Sequence, residues 1–141
     1  MLKSIAIATA SLGLLATPLL AQDTASPETA EMTKGEQKLA KLLDGRTAGK
    51  PQNCIRTLGS RNLQQIDGTA LTYRDGDTIW VNYTRNPADI NDRDIIVIER
   101  FSGSSLCRTD QIRLVDRING FLSGVLFLDD FIPYTKVESK D

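Results

Sequence analysis

Cys54 and Cys107 constrain this chain more than any other feature, because a bond between them forces everything in the 53-position interval to return to its starting point. Whether they pair depends on the compartment, since disulfides persist in oxidising surroundings and are rare in the cytosol. The N-terminus speaks to that. Residues 1–21 read as a secretory signal peptide: Lys3 supplies the positive n-region, residues 5–16 form an apolar h-region, and Pro18 interrupts the helix before a cleavage point between Ala21 and Gln22. Ser4 to Gln22 is a run of 19 uncharged residues, close to the length that spans a bilayer. Pro18 lies inside it, and Asp23, Glu28 and Glu31 follow it in place of a basic stop-transfer cluster, which argues against a retained anchor. The expected location is periplasmic or secreted, with no stable membrane insertion after cleavage. There a Cys54–Cys107 disulfide is expected. Redox pairs sit close together, as in Cys-x-x-Cys, and this spacing does not resemble them. Intermolecular or free thiols are the alternative.

Composition removes whole classes of chemistry. The chain has no histidine, so His-based acid–base catalysis, His-activated nucleophiles and His metal ligands are excluded. Two cysteines are too few for a zinc ribbon or an iron–sulfur cluster. No cofactor, metal site or catalytic residue is therefore expected. Seventeen Lys and Arg against 18 Asp and Glu give a net charge of −1, with no field to attract nucleic acid.

The pattern of apolar residues and turn residues sets the fold. Residues 22–32 (QDTASPETAEM) are polar and read as a flexible leader. Thr33-Lys34-Gly35-Glu36 is a capping box, Leu39, Leu42 and Leu43 form an apolar stripe, and Gly45 suits a left-handed helix end, predicting a short helix over residues 34–44. Lys34, Lys38 and Lys41 then form its solvated face. Residues 62–66 and 69–74 flank Asp67-Gly68 as a hairpin. Asp75-Gly76-Asp77 repeats the signal and leads into residues 78–84, where Ile79, Val81 and Tyr83 face away from Thr78, Trp80 and Asn82. After the polar loop 85–94, the dense apolar run 95–101 reads as a central strand covered on both faces. Residues 102–105 turn into Cys107, residues 111–116 alternate, Asn119-Gly120 turns again, and residues 121–128 form the last long strand. The expected fold is mainly β (α+β): a small antiparallel meander or barrel-like domain with one short N-terminal helix, over residues 33–137 as a single disulfide-stabilised domain with a frayed tail at 138–141.

Motifs for chemistry fail on inspection. The segment from Gly45 to Pro51 resembles a phosphate loop but has the wrong spacing, and Pro51 stands where a hydroxyl ligand belongs, so a loop is expected. The oxygen-rich run from Asp89 to Asp94 lacks the glycine and distant glutamate of a calcium loop. Asp129 and Asp130 are adjacent and would share a site only across a turn. Arg56, Arg61, Arg74, Arg100, Arg108, Arg113 and Arg117 alternate with acidic residues, so cross-strand ion pairs are expected for most of them. Trp80 packs in the interior or forms a stacking platform on an exposed face.

Between Gly45 and Val137 the chain resembles a family of small exported alphaproteobacterial proteins with two cysteines and no assigned activity. The resemblance rests on Gly45-Arg-x-Ala48-Gly49-Lys50-Pro51 followed by Cys54-Ile55, on Asp67-Gly68-Thr69-Ala70, on Leu106-Cys107 with Asp110, and on Phe131-Ile132-Pro133-Tyr134. That last segment reads as an edge strand ending at proline. The functional expectation is an exported bacterial binding or accessory domain without enzymatic activity, acting on an unknown protein or envelope component. Trp80, Tyr83, Tyr134, Arg74 and Arg85 are its candidate ligand or partner contacts. The alternative is a hydrolase of envelope polymers working through Asp129 and Asp130.

Overall fold

The computed structural model describes residues 31–58, 61–100 and 103–137; the signal-like segment, most of the leader and the tail lie outside them. Thr33 opens the helix as the sequence predicts. Its hydroxyl accepts from the Glu36 amide at 3.2 Å, and the Glu36 carboxylate accepts from the Thr33 amide at 2.7 Å. This capping box starts α1 (Lys34–Leu43), and Gly45, at φ +67°, turns the chain away from its end. Ten strands follow among the described residues: β1 (Arg46–Ala48), β2 (Cys54–Arg56), β3 (Leu63–Ile66), β4 (Ala70–Asp75), β5 (Thr78–Asn82), β6 (Ile95–Glu99), β7 (Ser105–Cys107), β8 (Gln111–Val115), β9 (Leu122–Phe127) and β10 (Ile132–Lys136). All pairings are antiparallel.

They form three sheets: β1-β10-β5-β4-β3, β6-β8-β9, and the pair β2-β7. The meander β3-β4-β5 is the one written in the turn residues. In the five-stranded sheet, alternation sends each side of β5 to a different layer. Ile79 and Val81 join Leu39, Ile66 and Ala70 beneath α1, with Leu42, Leu43 and Tyr134 packed against them. Leu71 and Tyr73 of β4 face the other way into a larger cluster with Ile55, Leu106, Ile112, Leu114, Leu126 and Phe131. The domain is thus layered: helix, five-stranded sheet, then the two smaller sheets. Cys54 and Cys107 stand directly opposite each other on β2 and β7 and are joined by a disulfide.

Four expectations need correction. The run beginning at Ile95 is not a central strand, because β6 lies at the rim of its sheet with β8 as its single neighbour among the described residues. Its inner residues Ile96 and Ile98 pack on the core, but Ile95 and Val97 are 45% and 40% exposed. Conversely, β10 is interior, between β1 and β5, although Pro133 sits within it. The Pro133 carbonyl accepts from the Gly49 amide just past the end of β1, so proline's missing donor costs one bond on that side, and pairing resumes between Gln52 and Phe131. The segment from Gly45 to Pro51 is not all loop, since β1 pairs with β10 through it. Finally, of the seven arginines expected to form cross-strand ion pairs, among the described residues only Arg113, with Glu99, and Arg108, with Asp130, make ion pairs.

Candidate functional site

The site is built at the end of β5. Asn82 is 1% exposed, and its amide serves two segments at once. Its Oδ1 accepts from the Thr84 amide at 3.0 Å and the Asp129 amide at 3.1 Å, and its Nδ2 donates to the Asp129 carbonyl at 2.5 Å. The clamp holds the exit of β5 against the turn between β9 and β10. Thr84 pays for it in geometry: it is buried, its φ is +52°, and its hydroxyl has no partner among the described residues. A β-branched residue in that conformation persists only where its surroundings enforce it.

Between Asn82 and Thr84, Tyr83 is turned outward, continuing the face of Ile79 and Val81, and it remains 39% exposed. Tyr134 of β10 lies beside its hydroxyl. Partial burial, followed by the contact with Tyr134, pushes its pKa up to about 12. The hydroxyl therefore keeps its proton throughout the physiological range.

Tyr83 borders two concavities. On one side is a mainly apolar groove of about 490 Å³, walled by Leu39, Ala40 and Leu43 of α1 and by Pro87, with Glu36 as its charged residue. On the other is a smaller cleft of about 200 Å³ that holds Pro51, Ile132, Asp129 and Asp130. Asp129 and Asp130 both line this cleft. Asp130 is ion-paired with Arg108 at 3.2 Å, and Asp129 accepts from the Asp130 amide at 2.8 Å. Neither is buried.

The other candidate contacts do not converge. Trp80 points to the opposite face of β5, half-buried against the large cluster and in register between Tyr73 and Pro133. Arg74 is exposed near Leu42, Asn62 and Gln64 at another edge of the helix. Arg85 follows Thr84, and its amide donates to the Phe127 carbonyl. So Tyr83 and Tyr134 come together, Arg85 is their sequence neighbour, and Trp80 and Arg74 stand apart. Sequence reading missed Asn82 and Thr84; an asparagine closing an apolar strand was the one available signal. In the calcium-like run, Asp94 is buried and accepts from the Ser123 hydroxyl at 2.6 Å. Among the described residues no group of three or more acidic or cysteine side chains could hold a metal ion, and no helix is long and apolar enough to cross a membrane. No family model matches the chain, and neither does any curated protein or solved structure.

Proposed function

We propose that this is an exported binding or accessory domain that works without catalysis, and that it meets a protein or envelope partner along the surface centred on Tyr83. The observation that carries this reading is the placement of an exposed tyrosine between two concavities, next to Thr84, whose strained backbone is tied to the Asn82 clamp. Strain of this kind collects at sites that must present a side chain in one fixed orientation, and tyrosine combines a large apolar contact with a hydrogen-bonding tip. The apolar groove and the carboxylates of the smaller cleft suit a partner segment with an apolar body and a cationic or hydrogen-bond-donating end. Export is supported by the disulfide together with the signal-like residues 1–21.

The test is position-specific photo-crosslinking in the producing cell. A photoreactive phenylalanine analogue at position 83 is expected to trap one discrete partner. The same analogue at Arg117, in the exposed β8–β9 turn, is expected to trap none. Equal labelling from both positions, or none from position 83, overturns the assignment.

A further inference from the structure

The rims of the sheets are not treated alike. Along the outer edge of β9, the Phe127 carbonyl accepts from the Arg85 amide, the Phe127 amide donates to Asn86 Oδ1, and the Val125 carbonyl accepts from Asn86 Nδ2. That edge is closed. The same bonds fix the phase of the whole sheet. In an antiparallel ladder the amide and carbonyl of one residue point to the same side, and alternate residues point to opposite sides. With residues 125 and 127 pointing outward from β9, Leu126 bonds to Ile112 of β8, and Val97 bonds through its opposite neighbour, Arg113. The amides and carbonyls of Ile96 and Ile98 therefore point away from β8. Among the described residues nothing pairs with them.

Natural sheets guard such an edge with charge, proline or a bulge. Within β6 the sequence is Ile-Ile-Val-Ile-Glu; its one charge is at the end, and Arg113 of its own chain already binds it.

The geometry points to β6 as a pairing edge for a second copy of this chain. Set antiparallel about a two-fold axis through Val97, two β6 strands bring Ile96 opposite Ile98 twice. All four free backbone groups of each strand are then used, and four inter-chain hydrogen bonds form. Side chains match by face: Ile96 meets Ile98 on the core side, Val97 meets Val97 on the outer side. The two Glu99 carboxylates lie at opposite ends of the seam, so no like charges meet. The sheet becomes β9-β8-β6-β6-β8-β9 across the pair. A seam of five residues a side is at the small end of specific interfaces, so association is expected roughly in the micromolar range or weaker. This inference is independent of the Tyr83 surface.

The test is sedimentation of the full chain, as processed by its host, over a wide concentration series. Wild type is expected to approach twice the monomer mass as concentration rises, with slowing exchange of the Ile96 and Ile98 amides. Val97→Lys places like charges opposite each other and is expected to lose the dimer, as is Val97→Glu. An equimolar mixture of the two is expected to recover it. Wild type that stays monomeric at every concentration overturns the proposal. So does a dimer in which the Ile96 and Ile98 amides exchange no more slowly than in the monomer, or one that Val97→Lys leaves intact. Should Val97→Lys fail to fold, the wild-type amide exchange decides alone.

Discussion

One amide side chain governs the region around Tyr83. Asn82 makes three hydrogen bonds to backbone that no other described side chain makes, two of them to a residue 47 positions away. Replacing it with alanine leaves the buried Thr84 amide and the two half-buried backbone groups of Asp129 without that partner. Each such group costs about 1–3 kcal/mol, tempered by water entering the gap, so Asn82→Ala is expected to lower stability by about 3 kcal/mol. Urea unfolding measures this, and a loss below about 1 kcal/mol would show that the clamp is not a net stabiliser. The strand alternation already put Asn82 on the face of Trp80 and Tyr83 on the face of Ile79 and Val81. What Asn82 grips was not legible, because its partners come from the β9–β10 turn and no local pattern encodes that encounter.

Elements announce their ends more clearly than their neighbours. The capping box, the turns at Gly68, Gly76 and Gly120, and the apolar stripe of α1 all stand where local chemistry put them. Helix docking is different. Gly35 is buried in the first turn of α1, and a Cβ there would run into the Asp67 carbonyl and the Thr69 hydroxyl. The β3–β4 turn cannot simply yield, since the Gly68 amide next to Asp67 is tied to the Ile90 carbonyl at 2.9 Å. Gly35→Ala should therefore act with opposite signs in two settings. In an isolated peptide of residues 31–45 it raises helicity, by roughly 1 kcal/mol of propensity. In the folded domain it is expected to cost about 2 kcal/mol, the scale of an overpacked site. Circular dichroism of the peptide and urea unfolding of the protein check the pair, and a stabilised domain would mean that α1 rides loosely on the turn. The exchange of rim and interior between β6 and β10 has the same origin. An apolar run is compatible with burial on two faces or with one buried face and an open edge, and pairing order alone separates these.

At the scale of the whole molecule, the disulfide spans 53 positions and ties the two-stranded sheet, whose Ile55 and Leu106 are buried in the large cluster. A loop that long stabilises by about 4 kcal/mol in the chain-entropy account. Domains of this kind have roughly 5–15 kcal/mol in all. The Cys54→Ser/Cys107→Ser double variant is expected to lose about that amount in urea unfolding, and an unchanged midpoint would mean that the pairing leaves the unfolded chain as free as before. By itself the sequence determined the short-range chemistry: the helix with its cap, the hairpin turns, the two-sided alternation of β5, and the pairing of the only two cysteines. Those features depend on residues within a few positions of one another, or on there being a single possible partner. The tertiary structure alone decided which strand lies at a rim, that proline sits inside a sheet, and that Tyr83 stands between two concavities with Asn82 beneath it. Each of these depends on which distant segments meet, and that is set by how three layers bury their apolar faces together, not by the order of residues along any one of them.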